Sequence, residues 1–195
     1  GRDQPHLPHG VRPVVTASRK SRIVVVGQAP GRLVHESGIP WDDKSGDRLR
    51  EWMGLDKTVF YDPLQIALIS MGFCYPGKGT SGDLPPRREC APQWHARLLE
   101  HMPGVKLIIL VGNYAQTYYL KKRKKKNLTE TLRHFREYLP DYFVLPHSSP
   151  RNNIWLRKNP WFEEKLIPEL RGLVSLHINA GNRLFEVNKE TGNRE

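Results

Sequence analysis

The sequence predicts a three-layer α/β/α domain with a central four-stranded parallel sheet. Short apolar, β-branched runs alternate along the chain with longer segments in which apolar residues recur at helical spacing. This alternation is typical of parallel strands joined by crossover helices that cover both faces of the sheet. With 195 residues, of which 38% are hydrophobic, the chain is long enough to build one domain with its own core.

Four segments are predicted to be the strands of this sheet. A parallel strand is buried on both faces, so it appears in a sequence as a continuous apolar or β-branched run. Such runs occur in Arg22–Val26, within Thr58–Ile69, in Lys106–Gly112 and in Tyr142–Leu145. Gly27 ends the first strand, and the pair Asp62-Pro63 interrupts the second.

Five segments with apolar residues at helical spacing are predicted to be the covering helices. They are Gly46–Met53, Cys90–His101, Tyr114–Leu120, Leu128–Tyr138 and Trp161–Leu173. Asn113 is a predicted N-cap for the third helix. Residues 32–47 and 72–88 contain many polar residues, glycines and prolines, and we predict that both form long loops.

We predict one domain at residues 22–175, between an N-terminal arm at residues 1–21 and a polar C-terminal tail at residues 176–195. The arm has no apolar signal core, and no apolar run in the chain approaches membrane-spanning length. Cys74 and Cys90 are too few for a disulfide framework and fit a reducing cytosol. We therefore expect a cytoplasmic protein without a membrane partner, and we expect it to be a monomer.

The chain is strongly basic. Its 31 lysines and arginines exceed its 20 aspartates and glutamates, which gives a formal net charge of +11. This surplus favours a polyanionic partner, most simply nucleic acid, although a basic protein without such a partner also fits. The basic run Lys121–Lys126 either adds to the binding of backbone phosphates or is a solvated helix end.

Two loops that follow predicted strands carry the residues best suited to chemistry. Gly27–Gly31 follows the first strand, and its two glycines let a ligand approach the backbone closely. Leu145–Asn152 follows the fourth strand and contains His147. The carboxyl ends of parallel strands meet at one edge of a sheet, where open α/β proteins bind their ligands. Taken alone, either loop also fits a plain surface turn, and the first matches no nucleotide-binding glycine motif.

Together with two segments between them, these loops resemble the uracil-DNA glycosylase superfamily. Gly27–Gly31 is similar to the family's first motif. His147–Asn152 is similar to its second motif, His-Pro-Ser-Pro-Arg-Asn, with Ser148 in place of the first proline. Gly38–Trp41 and Ser45–Leu49 lie between them in the family's order.

The resemblance covers residues 22–172 and is nearest to bacterial and archaeal branches outside the main group of enzymes. It implies a four-stranded parallel sheet flanked by helices, with DNA along the carboxyl edge. It also implies hydrolysis of the N-glycosidic bond of uracil, or of a related deaminated base, in DNA. The base would first be flipped out of the stack into a pocket.

The resemblance further implies catalytic residues. His147 would donate a hydrogen bond to uracil O2 and stabilise the leaving anion. A carboxylate would orient water toward C1′ and offset the positive charge of the sugar. The first motif holds Gln28 and Ala29 but no acid, so Asp43 is the candidate carboxylate and Asp42 is the fallback. Both acids also fit solvated or helix-capping roles, and the glutamine could orient water by hydrogen bonding.

Trp41 matches the aromatic residue that stacks on the flipped base. Trp41 could instead pack in the core, and Phe60 and Tyr61 are the other candidates for the stacking role. Reading uracil needs an amide that donates to O4 and accepts from N3–H. The family supplies it from an asparagine at the end of the second strand, and the best match here is Gln65, one methylene longer. Gln65 also fits a strand-end group bonded to backbone. Gly27 and Ala29 would line the base pocket.

The second motif would also hold the DNA, whether single- or double-stranded. Arg151 would be the tip of a wedge that enters the duplex, flanked by Pro150 and Asn152. Ser45 and Ser149 would bind flanking phosphates through their hydroxyl and backbone N–H groups.

No metal or other cofactor is predicted. Some relatives bind an iron–sulfur cluster through four cysteines, but Cys74 and Cys90 cannot supply four thiolates. Two other functions stay open. One is a catalytically weak or inactive DNA- or damage-binding member of the same superfamily. The other is a small-molecule α/β protein that binds an anion at the Gly27 loop.

Overall fold

The computed structural model describes residues 7–178, and its centre is a sheet of four parallel strands. The strands are β1 (Ile23–Gly27), β2 (Ile66–Ser70), β5 (Leu107–Val111) and β6 (Tyr142–Leu145), in the spatial order β2-β1-β5-β6. A separate two-stranded hairpin consists of β3 (Lys78–Gly79) and β4 (Gly82–Asp83). With helices around the sheet, the predicted three-layer α/β/α class is confirmed.

Seven α-helices have both ends within the described part of the chain. They are α1 (Arg32–Ser37), α2 (Lys44–Met53), α3 (Lys57–Phe60), α4 (Cys90–Glu100), α5 (Asn113–Leu120), α6 (Leu128–Arg133) and α7 (Asn153–Lys158). Short 3₁₀ turns occupy Lys121–Arg123, Phe135–Tyr138 and Pro150–Asn152. Residues 161–178 are helical, with a π-helical turn at Phe162–Leu166. None of the helices in residues 7–178 is long and apolar enough to cross a bilayer.

The central strand β1 sets the direction of the whole sheet. All five of its residues are buried, and Val24 pairs with Ala67 on one side and with Ile108 on the other. Because all four strands are parallel, their carboxyl ends meet at one edge. The chain passes from β1 to β2 on one side and then returns to β5 on the other, so the crevice between β1 and β5 is the switch point where α/β proteins bind ligands.

The structure corrects several predicted elements. Lys57–Phe60 is a helix rather than the start of a strand, because the side chain of Asp56 accepts a hydrogen bond from the Val59 N–H and caps it. The predicted loop at residues 32–47 contains α1 and the start of α2. The predicted loop at residues 72–88 contains the β3–β4 hairpin. The helices α1 and α3 and the two hairpin strands are two to six residues long, too short to show a hydrophobic period.

The segment before β1 packs along the sheet. Val14 is buried, and Thr16 exchanges two backbone hydrogen bonds with Leu68 of the edge strand β2. This pairing covers part of an edge that would otherwise be exposed. The predicted division between arm and domain at residue 22 stays a prediction. Of the predicted tail, residues 176–178 continue the last helix, and residues 179–195 lie outside the described residues.

We expect Gly46→Ala to destabilise the fold. A Cβ atom at Gly46 would lie 1.7 Å from the carbonyl oxygen of Trp41, and a backbone oxygen cannot move aside as a flexible side chain can. We expect the free energy of unfolding, measured by urea denaturation, to fall by about 2 kcal/mol. The control is Gly172→Ala in the last helix, where a Cβ atom meets nothing within 4 Å. There we expect a gain of about 0.5–1 kcal/mol, and equal effects at the two glycines would contradict the assignment.

Candidate active site

An open cleft of about 410 Å³ lies at the carboxyl edge of the sheet. Most of the side chains predicted to be functional line it, although they come from segments more than 100 residues apart. Those lining residues are Gln28, Ala29, Trp41, Asp43, Ser45, His147, Ser149, Arg151 and Asn152. The volume falls in the range of pockets that hold a small organic group.

The loop Gly27–Gly31 forms one wall of the cleft. The carbonyls of Gly27 and Gln28 accept hydrogen bonds from Met71 and Gly72 at 2.9 and 3.0 Å, so pairing between the first two strands extends past their ends. A Cβ atom at Gly27 would lie 2.6 Å from the indole of Trp41. Glycine at this position therefore allows the ring to lie directly against the backbone.

His147 stands on the opposite wall, in the loop after β6. Its Nδ1 accepts a hydrogen bond from the Ser149 N–H at 3.1 Å, and its carbonyl accepts one from the Asn152 side chain at 2.5 Å. A ring nitrogen that accepts a hydrogen bond carries no proton, so the neutral ring is protonated on Nε2. Gly112, in a left-handed conformation with φ of +86°, lets the ring pack close to the end of β5.

The surroundings of His147 favour its neutral form. Burial lowers the pKa of the imidazole, because the charged form is poorly solvated in the cleft wall. The carboxylate of Asp43 acts in the opposite direction, and the guanidinium of Arg151 lowers the pKa further. The result is a neutral ring whose Nε2–H is a hydrogen-bond donor.

Trp41 is held in place by its backbone. It has a left-handed φ of +59°, which is rare for a bulky residue, and its carbonyl accepts a hydrogen bond from the buried Arg50 at 3.3 Å. Its ring centroid lies 6.3 Å from that of His147. The competing aromatics do not line the cleft: Phe60 is fully buried, and the hydroxyl of Tyr61 accepts a hydrogen bond from Arg50.

The two candidate acids have different environments. Asp43 lines the cleft, and its side chain accepts a hydrogen bond from the Gly46 N–H at 2.8 Å, so it also caps α2. Asp42, the preceding residue, does not line the cleft. The structure therefore brings only Asp43 together with His147.

The position predicted for Gln65 is wrong. This residue lies just before β2, at the amino edge of the sheet, and its backbone carbonyl accepts hydrogen bonds from the N–H groups of Arg22 and Ile23. The five residues of β2 separate it from the cleft by roughly 17 Å. At the carboxyl end of β2 stands Ser70, which lines the cleft. The error arose because the second strand was predicted within Thr58–Ile69, whereas β2 spans Ile66–Ser70.

The residues predicted to hold DNA form the outer wall of the cleft. Ser149 caps the 3₁₀ turn Pro150–Asn152, and its carbonyl accepts a hydrogen bond from Arg48 of α2 at 3.3 Å. Ser45, near the start of α2, lines the cleft. Arg151 is exposed, and its guanidinium donates to the carbonyl of Ser81 in the β3–β4 hairpin at 2.8 Å. Pro150 is exposed at the start of the turn and does not line the cleft.

Sequence reasoning did not predict several residues that line the cleft, among them Asp83, Ser70 and Val14. Asp83 belongs to the hairpin inside the predicted loop at residues 72–88, and the SGD sequence that contains it carries no recognisable motif. Ser70 was hidden by the misplaced strand. Its carbonyl accepts a hydrogen bond from Nε2 of the buried His95 at 3.0 Å, while Nδ1 of that ring contacts the hydroxyl of Tyr119 at 2.7 Å. Val14 of the predicted arm also lines the cleft.

The basic run Lys121–Lys126 does not line the cleft. Lys124 donates to the side chain of Asn113, and Lys125 pairs with Glu137 at 2.6 Å. Both lysines therefore bind neighbouring segments of their own fold. Within residues 7–178, no group of three or more histidine, cysteine or acidic side chains is arranged to hold a metal ion, and both cysteines are free.

Comparison with known proteins gives two findings. The family model of the Uracil DNA glycosylase superfamily matches residues 14–171, a range that contains every cleft residue described above. Among solved structures, the chain is similar to the solution NMR structure of "a putative Uracil DNA glycosylase" from Methanosarcina acetivorans. The two sequences are 20% identical, the match covers 82% of this chain and 94% of that chain, and the TM-score is 0.45.

We expect the His147 imidazole to titrate below pH 6.5, the value for an unperturbed histidine, in an NMR titration of the ring protons. Asp43→Asn should lower this pKa further, because it removes a negative charge that favours the protonated ring. Arg151→Gln should raise it, because it removes a positive charge. Asp42→Asn is the control and should leave it unchanged; a shift equal to that of Asp43→Asn would contradict the geometry.

The same shift makes stability depend on pH. Because the folded-state pKa of His147 lies below 6.5, the neutral ring's contribution to stability is complete above about pH 6.5 and is lost as the pH falls through the folded-state pKa.

Proposed function

The chain belongs to the uracil DNA glycosylase superfamily, and on that premise we propose that it is an enzyme that hydrolyses the N-glycosidic bond of uracil, or of a related deaminated base, in DNA. The observation that carries the proposal is the neutral His147, whose Nε2–H is free to donate in the cleft that Trp41 also lines. A hydrogen-bond donor and an aromatic face are what a flipped pyrimidine requires.

His147 would stabilise the leaving group. Breaking the bond between C1′ and N1 places negative charge on the uracil ring and positive charge on the sugar. A neutral Nε2–H that donates to the developing anion at O2 is a preorganised donor, because the Ser149 N–H already holds the ring. A donor of this kind contributes roughly 3–4 kcal/mol to transition-state stabilisation.

Trp41 would form the face on which the base stacks. Its indole lies directly against Gly27 and its backbone carbonyl is held by Arg50, so the ring is already in place to receive a planar base. Stacking on an aromatic side chain contributes about 1–3 kcal/mol per base and suits any flat base. The backbone of Gly27 and Ala29 would then contact the edge of the base.

Asp43 would supply the negative charge that the sugar requires. It lines the cleft beside His147, and its helix-capping hydrogen bond holds the carboxylate in one orientation. A carboxylate there offsets the charge that develops at C1′ and accepts a hydrogen bond from an attacking water. Gln28, on the opposite wall, could hold the same water by hydrogen bonding.

Base selection would depend on Ser70 rather than on an amide. A hydroxyl can donate to a carbonyl oxygen or accept from a ring N–H, so it fits uracil without excluding other deaminated bases. This chemistry is the reason that the proposed substrates include related bases as well as uracil. The DNA itself would contact Ser45, Ser149 and the turn at Pro150–Asn152, where the exposed Arg151, still bonded to the carbonyl of Ser81, would lie against the stack.

One observation favours a second function. The Gly27–Gly31 loop contains Gln28 and Ala29 where several branches of the family have an acid. A relative that binds damaged DNA without cleaving it would have the same fold and the same basic surplus. The two functions differ in their product, because only an enzyme leaves abasic sites that alkali cleaves.

We expect purified protein to create alkali-labile sites in a uracil-containing oligonucleotide. His147→Ala should reduce the single-turnover rate by about 10²–10³-fold, because it removes the donor to the leaving anion. Binding of the same DNA, measured by fluorescence anisotropy, should change little. The control is His134→Ala, which replaces an exposed histidine outside the cleft and should be as active as the wild type.

A panel of oligonucleotides with uracil, hypoxanthine, xanthine or mismatched thymine would identify the preferred base. If the wild type binds these DNAs but cleaves none of them, the binding function replaces the enzymatic one.

A further inference from the structure

We propose that Asp83 is a second catalytic carboxylate, which accepts the proton of the attacking water from the side of the Gly27–Gly31 loop. This inference rests on the proposed glycosylase function. It assigns to the β3–β4 hairpin the acid that the first loop lacks. Asp43, which lines the same cleft and whose charge acts on His147, would keep its role at the sugar.

The first observation is where the carboxylate lies. Asp83 lines the cleft at the end of β4, and one of its oxygens, Oδ2, lies 3.5 Å from where a Cβ atom of Gly31 would be. An acidic group therefore lies against the very loop that contains Gln28 and Ala29 instead of an acid. A side chain at Gly31 would contact that oxygen, whereas glycine has no side chain to cover it.

The second observation is how the carboxylate is oriented. The other oxygen, Oδ1, is 3.5 Å from the hydroxyl of Tyr75, a residue only 2% exposed. Burial first, and then the negative charge of Asp83, raise the pKa of this phenol. The hydroxyl therefore stays protonated and can donate to the carboxylate. The Tyr75 ring itself packs against the rings of His9 and His35, at centroid distances of 4.9 and 5.8 Å.

The third observation is that the hairpin is tied to the wall that carries His147. Arg151 donates to the carbonyl of Ser81, two residues before Asp83, and the Leu84 N–H donates to the carbonyl of Gly77 at 2.8 Å. The first bond holds the turn of the hairpin, and the second closes its open end. An exposed aspartate would otherwise have no fixed position relative to the histidine.

The two cleft acids are not equivalent. One oxygen of Asp43 accepts the backbone N–H that it caps, and the charge of this acid acts on the His147 ring. Asp83 has only a phenol near one oxygen and keeps Oδ2 directed at the first loop. A negative charge that acts on His147 suits compensation of the sugar cation, whereas an oxygen of an exposed carboxylate beside the first loop suits a base for water.

In the proposed step, the water oxygen forms a bond to C1′ as the bond between C1′ and the base nitrogen breaks, and the bonding pair leaves with the base. One of the two water protons passes to Oδ2 of Asp83, which later releases it to solvent, and the other stays on the new hydroxyl. The base departs as an anion that accepts a hydrogen bond from Nε2–H of His147, and it later takes a proton from solvent. The products are the free base and an abasic sugar with a hydroxyl at C1′.

The test is the single-turnover rate of excision by Asp83→Asn at neutral pH. We expect a loss of about 10²-fold or more, because the amide cannot accept the proton. Affinity for the uracil-containing oligonucleotide should stay equal or increase, because a negative charge has been removed from the DNA-facing cleft.

The matched control is Glu36→Gln. Glu36 is an exposed acid on α1 that pairs with Arg32 at 3.6 Å and does not line the cleft, so this variant should excise at the wild-type rate. Thermal unfolding of both variants should coincide with that of the wild type, because both side chains are exposed.

Three results would overturn the inference. If the wild type excises the base and Asp83→Asn stays within about twofold of its rate, the catalytic role fails while the glycosylase function stands. If Asp83→Asn loses rate and DNA affinity in equal proportion, Asp83 acts in binding and not in catalysis. If the wild type excises no base from the panel, the proposed function fails, and the role of Asp83 fails with it.

Discussion

The hydrogen bond from the Ser149 N–H to Nδ1 of His147 is the interaction on which the cleft depends. It determines which nitrogen of the neutral ring carries the proton, and so whether the ring offers the cleft a donor or an acceptor. The rest of the loop supports this one bond. Asn152 holds the His147 carbonyl, Arg48 holds the Ser149 carbonyl, and Gly112 allows the ring to approach the sheet.

Close approach of backbone and aromatic ring gives the opposite wall its shape. Trp41 has an unfavourable left-handed conformation, and the surrounding structure compensates for it. Its carbonyl lies so close to Gly46 that no side chain fits there, its ring lies against Gly27, and Arg50 bonds its carbonyl from within the core. Gly27 and Gly46, 19 positions apart in the sequence, therefore both provide the space that Trp41 occupies. A preformed face of this kind avoids the cost of ordering a side chain when a ligand binds.

The charges of the protein are distributed unevenly between surface and cleft. The whole chain has a net charge of +11, which draws it toward polyanions, yet two aspartates line the cleft itself. Carboxylates weaken the binding of phosphates, so their presence in a DNA-facing cleft needs a chemical reason. Stabilisation of a cationic sugar and activation of water are such reasons. The lysine run that is most prominent in the sequence lies outside the cleft, and two of its members bind neighbouring side chains.

The sequence by itself determined the fold class and the two principal loops. Buried parallel strands require long apolar runs, and the residues after Val26 and Leu145 had to meet at one edge because all strands point the same way. Short elements could not be predicted, because a helix of four residues or a strand of two has no period to detect. That ambiguity misplaced the second strand and led to Gln65 instead of Ser70. Only the tertiary structure brought Asp83 to Gly31 and excluded Asp42 from the cleft, since contacts between residues distant in sequence depend on how loops pack and not on local residue type.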